Sequence, residues 1–127
     1  MIQNNMRELK FRIWDKIGEV FRGNLYKYLI NAHTGELEVW AFSDLYDEWY
    51  NTYNDRDLIV QQYTGLQDKN GKDIYEGDVV SGKYCHSSDV KNVVRYYDGA
   101  FNISSEYWQK DSLIVLGNIF ENPELIQ

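Results

Sequence analysis

The sequence predicts a mainly β protein, and three observations carry that reading. Apolar and polar residues alternate with a period of two over residues 8–14 and again over 36–42, as half-buried strands require. Short runs rich in β-branched and aromatic residues recur along the chain, separated by turn signals such as Gly23-Asn24, Asp68-Lys69-Asn70-Gly71 and Asp98-Gly99. Only one passage, SDLYDEWYNTYNDRD at residues 43–57, breaks the pattern: there Leu45, Trp49 and Tyr53 recur at the four-residue spacing of a helix face.

Taken in order, Leu9, Phe11 and Ile13 alternate with Lys10 and Arg12 to make the first strand. Asp15 to Gly18 can turn the chain, so that Glu19 to Arg22 pairs back. After Gly23-Asn24 come Leu25 to Ile30, and after His33-Thr34-Gly35 comes Glu36 to Phe42, where Leu37, Val39 and Ala41 alternate with Glu36, Glu38 and Trp40. These runs form an antiparallel meander. In the passage that follows, Ser43 or Asp44 can cap a short helix, and Asp47 and Glu48 suit the positive end of its dipole. Asn51, Asn54 and Asp55 make poor helix interior and limit it to about two turns. Leu58 to Tyr63 returns to strand.

Residues 62–80, QYTGLQDKNGKDIYEGDVV, contain two turns, at Asp68–Gly71 and at Glu76-Gly77-Asp78, with Ile74 and Tyr75 between them as apolar anchors. The alternating oxygens of Asp68-x-Asn70 suggest a calcium loop, but the sixth and twelfth positions are Asp73 and Val79 where an EF-hand needs Gly and Glu. A structural loop is the better reading. Beyond it, Val79 to Tyr84 and Val90 to Tyr97 are strands flanking a loose Cys85–Ser88, and Asp98-Gly99 turns a hairpin into Ala100 to Ser104. Residues 106–112 form a loop. Leu113 to Phe120 reads as a buried strand bent or bulged at Gly117, and Asn122-Pro123-Glu124 starts one short terminal turn. The core is expected to include Phe11, Ile13, Phe101 and Phe120. This pattern of strands fits a small closed barrel and an open sheet equally well.

The same stretch at 62–80, with MRELKFRIWDK at 6–16 and VLGNIFENPELI at 115–126, resembles the YopX family of proteins encoded by phages and prophages of Gram-positive bacteria. The likeness spans nearly the whole chain. It departs at Met1 to Asn5, which precede the usual opening, and at residues 31–57. It implies a C-terminal SH3-type small barrel, and no catalytic residues. The expected organisation is therefore an N-terminal antiparallel meander with a short helix, residues 1–61, and an SH3-like barrel, residues 62–127, in one compact unit. Residues 1–5 should add little to stability.

Composition bounds the function. The chain has 127 residues, 43% hydrophobic and 16% aromatic, enough for a core and too aromatic for a disordered chain. Its net charge of −7 is uneven: residues 1–30 carry six Lys or Arg against three acids, and residues 31–78 three against eleven. The acidic middle repels phosphate and speaks against nucleic acid, although Arg7, Lys10, Arg12 and Lys16 could form a local basic face. A single Cys85, a polar start and no long apolar run point to the cytoplasm and away from a membrane, and the YopX resemblance implies that the cell is the bacterial host. No phosphate loop, nucleophile elbow or metal-ligand spacing is present, and the Cys85-His86 neighbours point apart if extended, with His33 the only other histidine. No cofactor, metal or catalytic group is expected, and Asn102-Ile103-Ser104 is a sequon without meaning in the cytoplasm.

Three function classes follow: a non-enzymatic module binding a host or phage protein or its own copies; a nucleic-acid binder in which Tyr96 and Tyr97 stack on bases; and a small enzyme. The first is favoured. Its candidate partner-binding residues are Tyr46, Trp49, Tyr50 and Tyr53, with Tyr46 and Tyr50 facing outward among the acids of residues 43–57 and Leu45, Trp49 and Tyr53 facing the core.

Overall fold

The computed structural model describes residues 8–22, 26–30, 33–34, 37–51 and 57–127. Among these residues there are strands and three 3-10 turns and no α-helix. The expectations placed on Met1 to Asn5, on Gly23-Asn24 and on Tyr53 lie outside the described residues. No helix among the described residues is long and apolar enough to cross a membrane. The chain divides into two compact units, residues 12–60 and residues 1–11 with 61–127.

In the first unit, β1 (Phe11–Asp15) and β2 (Val20–Arg22) form the expected hairpin, with Trp14 opposite Phe21 and their rings edge to face. Asp15 closes it. Its carboxylate accepts the Ile17 and Gly18 amides at 2.9 and 3.1 Å and the Arg22 guanidinium at 2.9 Å. The Gly18 amide first, and then Arg22, hold the Asp15 carboxyl below its ordinary value. Strands β3 (Tyr26–Ile30), β4 (Leu37–Ser43) and β5 (Glu48–Asn51) make the meander. The register pairs Tyr26 with Ala41 and Ala41 with Tyr50.

The short helix expected after Ser43 is not formed. Residues 44–47 turn the chain and Glu48–Asn51 pairs with β4. The four-residue spacing misled because Leu45 belongs to the turn and Trp49 to a strand. Asp47, at φ +53°, takes the left-handed conformation that Asp tolerates and that a helix interior forbids. Pairing with β4 then satisfies backbone groups that a two-turn helix would leave largely open.

β6 (Leu58–Gln67) carries the chain into the second unit, where it pairs with β7 (Asp73–Tyr75). β8 (Asp78–Lys83) is the centre of a three-stranded antiparallel sheet, between β9 (Asp89–Val93) and β12 (Ile114–Asn118). The run expected as one strand from Val90 to Tyr97 is broken at Val94 and Arg95. It resumes as β10 (Tyr96–Tyr97), paired with β11 (Ala100–Phe101). Asp98 and Gly99 both have positive φ, the requirement of a type I′ hairpin. A bulge between Val115 and Gly117 bears out the expected bend in the last strand. Pro123–Ile126 forms the terminal 3-10 turn.

The core of this unit is Ile74, Val80, Val94, Phe101, Ile103, Trp108 and Leu113, with Leu66 and Val115 packed against it. Burying each large side chain contributes about 1.5–3 kcal/mol. Of the residues expected inside, Ile13 and Phe101 are buried and Phe11 and Phe120 half-buried, while Leu9 is exposed. The Leu113–Phe120 run is only partly buried, because the bulge turns Leu116 outward.

Candidate functional site

Residues 62–80 are occupied in holding the fold. Asp68 is the hub of their first turn. One carboxylate oxygen accepts the amides of Asn70 at 2.9 Å and Lys72 at 3.0 Å, and the other accepts the Val115 amide at 3.1 Å from the last strand. Burial pushes the Asp68 carboxyl up, but these three N–H donors and the Lys72 charge overcome it and leave the group below its ordinary value. A calcium loop aims oxygens inward. Here N–H groups converge on a carboxylate, which is the opposite polarity.

The second turn closes a buried polar knot. Gly77 has φ +86°, and a Cβ there would collide with the Gln61 side-chain amide. The Asn118 amide donates to Gln61 Oε1 at 3.1 Å and to Asp78 Oδ1 at 3.2 Å, while Asp78 Oδ2 accepts the Tyr75 amide at 2.9 Å. Gln61, Asp78 and Asn118 are all buried. At the edge of the same unit Lys10 donates to Asp73 at 2.7 Å and lies 4.5 Å over the Tyr63 ring. The hydrogen bond from Lys10 holds Asp73 low and raises Lys10 in return. Burial first, then the Asp73 charge, raises Tyr63. Two residues of the possible basic face are thus engaged inside the fold, Lys10 in this way and Arg12 over the Phe21 ring at 4.3 Å.

The exposed aromatics lie elsewhere. At the tip of the β4–β5 hairpin Leu45 is 80%, Tyr46 72% and Tyr50 49% exposed. Residues pair across the hairpin as Ser43 with Glu48 and Ala41 with Tyr50, and in a strand alternate residues share a face. Ser43, Glu48 and Tyr50 therefore project on one side. With Tyr46 from the turn they line an open pocket of about 440 Å³. Tyr46 is placed by its own backbone, whose amide donates to Ser43 Oγ at 3.3 Å. Asp44, Asp47 and Glu48 are exposed in the same segment, Glu48 alone of them lining the pocket. Trp49 is on the other face, half-buried edge-on against Phe42 at 5.3 Å. So the structure keeps Tyr46 and Tyr50 outward, turns Leu45 outward against expectation, and sets Trp49 aside. Glu48 and Ser43 were missed because a helix would have dispersed them; the alternation Glu48, Tyr50 against Trp49, Asn51 was the available signal.

A second groove, of about 450 Å³, is lined by Tyr84, Tyr97, Tyr107 and Asn102 over the buried Trp108. The Tyr84 ring lies 6.0 Å from Tyr107 and 5.1 Å from Trp108. Tyr96 is engaged edge-on with Phe101. Burial lowers Lys110, whose ammonium donates to the Ser105 and Trp108 carbonyls. Cys85 (φ +56°) and His86 sit in an exposed turn. Among the described residues no group of three or more His, Cys, Asp or Glu side chains could hold a metal ion.

Residues 10–127 match the family described as YopX protein. The chain belongs to the YopX family. Two solved structures share the fold. One is protein EF1440 from Enterococcus faecalis, 24% identical with a TM-score of 0.59; the other is protein yopX from Bacillus subtilis, 19% identical with a TM-score of 0.64. In each comparison the match covers 96% of this chain and 100% of the other. No curated protein matches the sequence. The stretches that carry the YopX likeness, 62–80 and 115–126, meet at Asp68–Val115 and at Asn118–Asp78, and Asn118 also donates to Gln61 just ahead of the first stretch. These contacts tie the turns of residues 62–80 to the last strand. The family match also spans the hairpin tip, so the departure expected over residues 31–57 is not seen at the level of the family model.

Proposed function

We propose that this YopX-family protein is a non-enzymatic interaction module of phage or prophage origin, working in the cytoplasm of the bacterial host. Its partner is a host or phage protein or a second copy of the chain. One observation carries the reading. The β4–β5 tip exposes three large side chains, Leu45, Tyr46 and Tyr50, in a segment that also exposes Asp44, Asp47 and Glu48. Solvated aromatics gathered beside charge are the composition of a protein-binding patch. The acidic character of residues 31–78 disfavours nucleic acid at this face. Residues 62–127 are read as the strongly bent, SH3-type half of the fold; the short strands β9 to β11 and the 3-10 turn ahead of β12 support this.

Affinity capture from host lysate, with the wild type beside a Tyr46→Ala, Tyr50→Ala variant, tests the proposal. The variant should fold as the wild type does and lose the captured protein. Intact capture by the variant, or its unfolding, removes this surface as the site.

A further inference from the structure

We infer that the pocket at the β4–β5 tip receives a cationic side chain of the partner, arginine before lysine. The inference rests on the reading of the tip as the partner-binding surface and adds its chemistry. Two tyrosines and one carboxylate converge on the space: Tyr46 from the turn, Tyr50 and Glu48 from the same face of β5, with the Ser43 hydroxyl at the margin. Aromatic faces carry negative quadrupole potential and attract a cation, best one that also stacks as a guanidinium does. Glu48 supplies an acceptor for its N–H groups. The flanking Asp44 and Asp47 add two further negative charges, and the stretch from Ser43 to Asn51 has no Lys or Arg of its own to fill the place. A volume of about 440 Å³ is ample for one side chain. An anion would meet the Glu48 carboxylate, and a neutral apolar group would forgo the pairing that a cation makes with it.

NMR titration of the full-length protein with N-acetyl-arginine amide, and with its neutral isostere N-acetyl-citrulline amide, tests this. The arginine compound should shift the Tyr46 and Tyr50 ring resonances saturably, and citrulline should leave them in place. Glu48→Gln should weaken binding about fivefold. Tyr46→Leu should weaken it about as much or more, while Tyr46→Phe retains it. The N-acetyl-lysine amide should bind more weakly than the arginine compound. Equal shifts with arginine and citrulline overturn the inference. So do shifts confined to the Asp44–Asp47 amides that survive Tyr46→Leu, since those report diffuse counterion attraction, and so does the lack of any shift. If the pocket fails these tests while lysate capture still needs Tyr46 and Tyr50, the interaction module stands and only the cation site falls.

Discussion

Replacing Gly77 by Ala puts two separate physical effects on one methyl group. At φ +86° an L-residue costs about 1–2 kcal/mol through its Cβ. The new Cβ also enters the space of the Gln61 amide, nearer than real Cβ atoms approach any atom. Gln61 is 2% exposed, so its side chain has no solvent to swing into. Displacing it breaks the Asn118–Gln61 hydrogen bond and leaves buried polar groups unpaired, for about 1–3 kcal/mol more. The expected cost is about 2–5 kcal/mol, a large part of a stability of about 5–15 kcal/mol. Gly71→Ala is the matched control: φ is +82°, with nothing within 4 Å of the added Cβ, so only the backbone cost of about 1–2 kcal/mol remains. Urea unfolding of the two variants at equal m-value reads the difference directly. A Gln61→Ala background should lower the cost of Gly77→Ala toward that of Gly71→Ala. Equal costs at Gly71 and Gly77, or no rescue by Gln61→Ala, would refute the packing argument.

Other consequences can be measured with the same assays. Asp68→Ala removes the acceptor of three backbone amides and should cost about 2–3 kcal/mol by urea unfolding. A loss under half a kcal/mol would show that water replaces it. Asp15, Asp68 and Asp73 all have folded-state pKa values below the ordinary one of about 3.9. The unfolded chain therefore binds more protons in acid, so their stabilisation is full above about pH 5 and is lost as pH falls through the folded values. Lys10, raised above its ordinary value, contributes fully below about pH 10.4 and loses its part only above that. Urea midpoints should thus fall on acidification, and less steeply in Asp68→Ala; a flat profile from pH 7 to 3 would contradict this. Gly117→Ala would drive a Cβ into Asn122 Oδ1 and Leu125, and should speed amide exchange in the Pro123–Ile126 turn. Unchanged exchange there would show that the turn absorbs the methyl group.

Much of the fold was legible because its determinants are local. The β1–β2 hairpin follows from alternation and Asp15, the I′ turn from Asp98-Gly99, and the bulge from Gly117 within an apolar run. The first turn of residues 62–80 was legible as a loop, yet its anchor was not: Asp68 meets Val115 across 47 residues, and nothing local marks Val115 as the donor. The pairing of Gln61 with Asn118 is hidden for the same reason. At the candidate site the aromatic residues were visible and their arrangement was not. Leu45, Trp49 and Tyr53 satisfy a helical period by coincidence, whereas strand pairing to β4 decides which of the residues share a face. Tyr46 and Tyr50 stayed exposed under either geometry, but Glu48 joins them only in the hairpin.

The most direct test of the interaction role is a titration of the purified captured partner into the wild type and into the Tyr46→Ala, Tyr50→Ala variant. Both substitutions are at exposed positions, so the two proteins should unfold within about 1 kcal/mol of each other. The expected result is a loss of affinity of about thirtyfold or more, as removal of interface anchors gives. Equal affinity of the two proteins for the partner would contradict it.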